Sequence, residues 1–139
     1  MGAEGTLGFI TAATLKLAPK PEGQETAWVN VASPAEAFAL FSLVRDRAGT
    51  TLSAFELMPR FGIDMQLTHG MLERDPSASP SPWYVMAEIS RPRGGREGVL
   101  TDALSEAFER ELVSDASIAQ SLDERANMWR TRENMSEVQ

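Results

Sequence analysis

Residues 26–36 read TAWVNVASPAE, and this stretch decides the fold because a strand pattern in it leads directly into a helix start. Thr26–Ala32 is rich in apolar and β-branched residues, which predicts a β-strand. Ser33 can cap a helix, Pro34 suits its first position, and Glu36 completes a capping box. The sequence therefore predicts a strand followed at once by a helix.

The same alternation continues along the chain. Apolar patterning predicts further strands at Leu52–Met58, Trp83–Ser90 and Asp115–Ala119. It predicts helices over 34–47, after Pro59, over about 100–112, and from Ser121 to the C-terminus. This order predicts an α+β fold, namely a ferredoxin-like split βαβ antiparallel sheet with helices on one face. The opposite sheet face is then either solvated or covered by something else.

Composition excludes several classes of protein. The 139 residues carry a formal net charge of −7, which disfavours binding to nucleic acid or anionic lipid. There is no cysteine and only one histidine, so disulfides, thiol catalysis, iron–sulfur clusters and Cys- or His-rich metal sites are excluded within this chain. No apolar run approaches the roughly 20 residues that a membrane span needs, and no secretory signal is visible. We therefore expect no membrane span and a cytoplasmic location.

The last predicted helix places an arginine inside an apolar stripe. At helical spacing, one face carries Arg125, Met128, Trp129, Arg132, Met135 and Ser136. A guanidinium among apolar side chains is costly unless an anion pairs with it, and its planar fork matches a carboxylate. Two interpretations stay open: Arg132 binds a ligand carboxylate, or it pairs with an internal acid or reaches water.

Three other residues invite a catalytic interpretation. Glu56 and Glu88 lie in predicted strands and could share one sheet face as an acid/base pair, but acids on an open sheet face are ordinary, so solvation is the simpler prediction. His69 precedes Gly70 at a predicted helix end, which fits a helix-terminus or loop histidine. No Ser or Asp spacing marks a triad around it. We therefore predict no catalytic residue and no metal ligand in this chain.

The first residues differ from the rest. Glycines at positions 2, 5 and 8 precede two short strand-like stretches, Phe9–Thr11 and Thr14–Leu17. Pro19–Gln24 then forms a predicted linker. The glycines favour close approach of the backbone to a flat or charged group, or simply tight turns.

Several segments, taken in order, resemble one known family. They are GAEGTLGFITAATLKLAPKP (2–21), LSAFELM (52–58), PWYVMAEIS (82–90), DASIAQS (115–121) and MWRTRENMSE (128–137). The first resembles the end of the flavin domain in FAD-linked oxidases of the D-lactate dehydrogenase and glycolate oxidase type. The others resemble the substrate-binding cap domain that follows it, with the D-2-hydroxyglutarate dehydrogenase-like branch the most similar.

The resemblance implies a role for particular residues. In that family the arginine of a W-x-x-R-E stretch holds the substrate carboxylate and a hydroxyl residue four positions later approaches the substrate, which implies Arg132 and Ser136 here. The glycine-rich loop lies against the flavin. The implied FAD contacts are Gly5, Thr6, Gly8, Ile10 and Thr11. The implied activity is oxidation of a small D-2-hydroxy acid (D-2-hydroxyglutarate, D-lactate or glycolate class) by hydride transfer to FAD, with the electron acceptor open.

The resemblance also implies a division of the chain. Residues 1–21 would be the tail end of an FAD-binding domain, and residues 22–139 part of a substrate-binding cap. The family's pyrophosphate loop and histidine-containing motif, the source of a possible divalent metal site, fall outside these residues. We expect a fragment that is inactive alone and self-associates through exposed edges. The alternatives are a stand-alone ferredoxin-like small-molecule-binding module and another member of the superfamily, such as a lipid-ether synthase.

Overall fold

The structure, a computed structural model, describes residues 2, 4–17 and 19–137. Its regular elements alternate along the chain. In order they are β1 (Gly23–Val31), α1 (Pro34–Ala48), β2 (Leu52–Pro59), α2 (Arg60–Thr68), β3 (Trp83–Arg91), α3 (Val99–Glu109), β4 (Asp115–Ile118) and α4 (Leu122–Glu133). Short 3-10 turns follow α1 at Gly49–Thr51 and α4 at Asn134–Ser136. From β1 onward, the predicted order of strands and helices is confirmed.

The four strands form one sheet in the order β2-β3-β1-β4, and every neighbouring pair is antiparallel. This is the strand order of two split βαβ units, each with a helix connecting two parallel strands across an intervening one. The long central pair β1–β3 sets the register, with Trp28 opposite Met86 and Thr26 opposite Glu88. The α+β, ferredoxin-like fold class is therefore confirmed.

One sheet face is covered by α1 and α3, the two crossover helices. Val29, Val85 and Ala87 face Leu40 of α1 and Leu104 of α3 in a continuous apolar core. Burial of this apolar area is the main source of stability in the fold. The helices that the split βαβ prediction placed on one face do lie there.

The helix starts predicted at Ser33 and Ser121 are confirmed, because each serine is the N-cap residue of its helix. Ser33 Oγ accepts from the Glu36 amide at 3.3 Å, and Ser121 Oγ accepts from the Glu124 amide at 3.1 Å. Each cap satisfies a donor that the first helical turn leaves unpaired. Within α1, Leu40 faces the sheet and is fully buried, whereas Phe38 is 70% exposed.

The opposite sheet face is covered by α2 and α4. Trp28, Tyr84 and Met86 form a second apolar cluster with Ile63 of α2 and Met128 of α4. Side chains along β3 alternate between the two clusters: Val85, Ala87 and Ile89 lie in the first, and Tyr84 and Met86 lie in the second. The sequence analysis left open what lies on this second face of the sheet. In the structure, helices α2 and α4 of the same chain cover it.

The segment before β1 packs differently. Neither Phe9–Thr11 nor Thr14–Leu17 forms a strand, so that prediction is wrong for this chain; a strand needs a hydrogen-bonded neighbour, and none pairs with them in the described part of the chain. Phe9 is 98% exposed and Leu17 is 87% exposed. Across residues 2, 4–17 and 19–137, no helix combines the length and apolarity required to cross a bilayer.

Candidate functional site

Helix α4 carries two arginines toward the same sheet face. Arg125 and Arg132 are seven residues apart, which is two helical turns, so both project to one side. Each meets a glutamate on a strand: Arg125 contacts Glu88 of β3, and Arg132 contacts Glu56 of β2. The candidate site consists of these two ion pairs and the apolar side chains between them.

Glu88 is the buried centre of the first pair, with 3% of the residue exposed. Arg125 donates to its carboxylate from Nε at 2.8 Å and from Nη2 at 3.0 Å. Trp129 Nε1 and Thr26 Oγ1 each donate at 2.8 Å, and Gln24 Nε2 donates at 3.2 Å. The simpler prediction, a solvated acid on an open face, is wrong for Glu88, because α4 covers that face.

The ionisation of Glu88 follows from these donors. Burial by itself raises the pKa of the Glu88 carboxyl, since it penalises the charged form. Hydrogen bonds from Arg125, Trp129 and Thr26 outweigh burial and hold the pKa below its ordinary value. Glu88 is therefore a fixed carboxylate at neutral pH and a poor general base.

Arg132 forms a more open pair. Its Nη2 donates to Glu56 Oε2 at 3.0 Å, and the two side chains are 40% and 35% exposed. Nε and Nη1 of Arg132 have no hydrogen-bond partner among the residues that the structure describes. Arg132 thus pairs with an acid of its own chain through Nη2, as one of the two interpretations predicted. Its remaining N–H groups are available to another acceptor.

Three residues that lie three or four positions from Arg132, on its side of the helix and the following turn, are apolar. Met128, Trp129 and Met135 pack against the second core cluster. Met135 lies so close to Gly62 of α2 that a side chain at position 62 would collide with its sulfur. These apolar side chains flank Arg132 along the helix and the turn that follows it, and the Arg132 side chain itself is 40% exposed.

Ser136 is not directed at the same point. It is exposed, and its Oγ donates to the Glu133 carbonyl at 2.9 Å within its own turn. A serine in the turn after a helix commonly makes this local hydrogen bond. Arg132 and Glu56 are therefore brought together, whereas Ser136 engages its own backbone.

The residues implied as FAD contacts lie in the exposed N-terminal segment. Gly5 and Gly8 have positive φ angles of 81° and 130°, and a Cβ at either would meet nothing within 4 Å. Ile10 is 90% exposed, and Thr6 and Thr11 lie in the same exposed stretch. The residues that the resemblance implies as FAD contacts are therefore exposed in the described part of the chain.

Metal ligation finds no support in the described residues. No group of three or more His, Asp or Glu side chains among residues 2, 4–17 and 19–137 is arranged to hold a metal ion. His69 is the C-cap residue of α2, as the helix-terminus interpretation predicted. It takes no part in the pairs around α4.

Sequence reasoning missed the role of Arg125. The signal was present: Arg125 and Trp129 are four residues apart on one helix face, and Glu88 lies on the strand face opposite. Both donors converge on one carboxylate only because α4 covers that sheet face, which the strand pattern does not specify.

Comparison with known proteins gives consistent matches. The model of the FAD linked oxidases, C-terminal domain, matches residues 20–139. The chain is 31% identical over 139 residues to the mitochondrial D-2-hydroxyglutarate dehydrogenase of Rattus norvegicus, covering 99% of this chain and 26% of that protein. It is 31% identical over 138 residues to the D-2-hydroxyglutarate dehydrogenase of Xanthomonas citri, covering 99% and 28%.

A relative from Schizosaccharomyces pombe carries a different substrate in its name. It is named as a mitochondrial D-lactate dehydrogenase and is 28% identical over 138 residues, covering 99% of this chain and 26% of that protein. The chain thus spans about a quarter of the length of the curated relatives it matches. The matches define an oxidoreductase and flavoprotein family and do not select one 2-hydroxy acid.

Proposed function

The chain belongs to the family of FAD linked oxidase C-terminal domains, and from that premise we propose that it is the substrate-binding cap of an FAD-dependent dehydrogenase for a small D-2-hydroxy acid. Residues 22–139 form part of that cap in this proposal, and residues 1–21 are the end of the FAD-binding domain. Activity then belongs to a longer protein, and the 139-residue chain is inactive alone.

The observation that carries the proposal is the open guanidinium of Arg132. Glu56 accepts a hydrogen bond from one nitrogen of Arg132, and one edge of the guanidinium keeps two N–H donors available. Met128 and Trp129, one turn before Arg132 on α4, are apolar. Two parallel hydrogen bonds to a carboxylate fit that edge. Arg132 therefore binds and orients the substrate carboxylate, and Ser136 contributes a hydroxyl once it releases its local hydrogen bond.

In this proposal the N-terminal segment provides the residues that contact the cofactor. Gly5, Thr6, Gly8, Ile10 and Thr11 form the strip that contacts FAD. Bound FAD would supply the hydride acceptor for oxidation at C2 of the hydroxy acid. This chain's own contribution is orientation: Arg132 fixes the carboxylate so that C2 has a defined position. The group that takes the hydroxyl proton, and any divalent metal, lie outside this chain in the proposal.

Several finer points also belong to the proposal. D-2-hydroxyglutarate and D-lactate are both candidate substrates, since relatives are named for each. Self-association through the exposed segment before β1 follows from the uncovered side chains of Phe9 and Leu17. Cytoplasmic location stays a prediction, because the rat and fission yeast relatives are named as mitochondrial enzymes.

A second candidate function is a stand-alone ferredoxin-like module that binds small molecules. The observation that favours it is that helices of the same chain cover both sheet faces. Calorimetric titration of the 139-residue chain with D-lactate, D-2-hydroxyglutarate and amino acids separates the two. Saturable micromolar binding by this chain supports the module, and absence of binding supports the cap.

Kinetics in the intact flavoenzyme test the role of Arg132. We expect Arg132→Ala to raise the KM for D-2-hydroxy acids about 100-fold, because two charge-assisted hydrogen bonds are lost. Arg130→Ala, an exposed neighbour on α4, is the matched control and should leave the KM within about twofold. Unchanged kinetics for Arg132→Ala would remove Arg132 from the binding site.

A further inference from the structure

We propose that Glu56 is a specificity-determining residue: it occupies one edge of Arg132, directs the substrate carboxylate to the other edge, and lowers the affinity of that edge for a doubly charged group such as phosphate more than its affinity for a carboxylate. The inference rests on the proposed function, because it assumes that Arg132 binds the substrate. Arg132 by itself does not determine which of its edges binds the substrate; in this inference Glu56 does.

The hydrogen-bond pattern of Arg132 supports the claim that Glu56 leaves one edge free for the substrate carboxylate. A guanidinium presents two edges, each with a pair of N–H groups, and Nη2 contributes one hydrogen to each. Glu56 Oε2 accepts a single bond, from Nη2 at 3.0 Å. Whichever Nη2 hydrogen is used, one complete edge of Arg132 keeps both its donors. A carboxylate can therefore bind in two parallel hydrogen bonds without displacing Glu56.

Burial supports a role in binding over a role in stability. The side chains of Arg132 and Glu56 are 40% and 35% exposed. Ion pairs with that much solvent contact contribute little to folding, about 0–1 kcal/mol. Their partial exposure leaves room for a small anion to approach the free edge.

The charge of Glu56 supports the expected effect on doubly charged ligands. Paired with Glu56, Arg132 is close to neutral as a unit, so an approaching anion meets attraction from the guanidinium and repulsion from the carboxylate. A single carboxylate gains its two hydrogen bonds against that repulsion. A dianion at the same place meets about twice the attraction from Arg132 and about twice the repulsion from Glu56, so Glu56 lowers the affinity for a phosphate-like group by a larger factor than it lowers the affinity for a carboxylate.

Glu56→Gln in the FAD-loaded enzyme tests the inference, because the amide keeps an acceptor oxygen and removes the charge. The readout is the dissociation constant of pyruvate at about pH 8, followed by the absorbance of the bound flavin, and inorganic phosphate, mainly a dianion at that pH, is the second probe. We expect pyruvate to bind about three- to tenfold more tightly and phosphate to gain by a larger factor. Glu109→Gln, an exposed residue of α3 on the opposite sheet face, is the charge-matched control and should change neither constant.

A second variant pair shows whether Glu56 acts through Arg132. In an Arg132→Ala background, Glu56→Gln should change pyruvate binding by less than twofold. Unchanged or weaker pyruvate binding by Glu56→Gln in the native background overturns the inference about Glu56. If Arg132→Ala by itself leaves pyruvate binding unchanged, the proposed function fails instead, so the two failures are distinguishable.

Discussion

The two ion pairs of α4 are both arginine–glutamate pairs, but they differ in burial and in the number of hydrogen bonds. Arg125 and Glu88 form a closed pair: both carboxylate oxygens are engaged, and the Glu88 side chain is 4% exposed. Arg132 and Glu56 form an open pair with a single hydrogen bond. The difference teaches that burial and donor count, more than residue type, separate an arginine that holds a helix in place from one that can bind a ligand.

Strand order explains why the two glutamates differ. Glu88 lies on β3, which has β2 on one side and β1 on the other, so Thr26 and Gln24 of β1 can donate to it. Glu56 lies on β2, at the edge of the sheet, with a neighbouring strand on one side. An edge position leaves its carboxylate partly in solvent and its arginine partner accessible.

The closed pair should dominate stability. We expect Glu88→Ala to lower the free energy of unfolding by about 3 kcal/mol, because it leaves Arg125 and Trp129 Nε1 without their acceptor. Urea denaturation of the 139-residue chain, with Glu109→Gln as control, measures the difference. A loss below about 0.5 kcal/mol would erase the distinction between the two pairs.

Acid should weaken the closed pair. The folded-state pKa of Glu88 lies below its ordinary value of 4.5, so the stability that the pair contributes is present above that value and is lost as pH falls through the folded pKa. Urea midpoints measured from pH 7 to pH 3 for the native chain and Glu88→Gln should therefore converge at low pH. A gap that persists undiminished at pH 3 would contradict the linkage.

The open pair should matter least to folding. We expect Arg132→Met and Glu56→Gln each to change the free energy of unfolding by less than about 1 kcal/mol, as is usual for half-exposed pairs. The same urea series gives both values beside that of Glu88→Ala. A loss as large as that of Glu88→Ala would make Arg132 a second structural anchor.

The fold could be predicted from the sequence to the extent that local signals agreed. The helix starts at Ser33 and Ser121 and the strand at Trp83–Ser90 each depend on signals within a few residues, and each prediction is confirmed. The covering of the second face was not predictable, because α4 has a weak apolar stripe and is held by Glu88 through long-range hydrogen bonds. The strand prediction for Phe9–Thr11 failed because a strand requires a partner that local sequence does not supply.

The candidate site was predictable in part. The face shared by Arg132, Trp129 and Met135 follows from helical spacing, and all three lie at that surface. Which acid each arginine meets depends on the sheet register, which pairs Glu56 with Met86 and Thr26 with Glu88 across strands. Register is a property of the assembled sheet, so spacing along the chain leaves it open.

The most direct test is a crystal structure of the FAD-loaded enzyme with a bound D-2-hydroxy acid. The account predicts the substrate carboxylate on the free edge of Arg132, with two N–O distances of about 2.7–2.9 Å, while Glu56 keeps its contact with Nη2. A carboxylate bound elsewhere, with Arg132 still paired to Glu56 and turned to solvent, would contradict it.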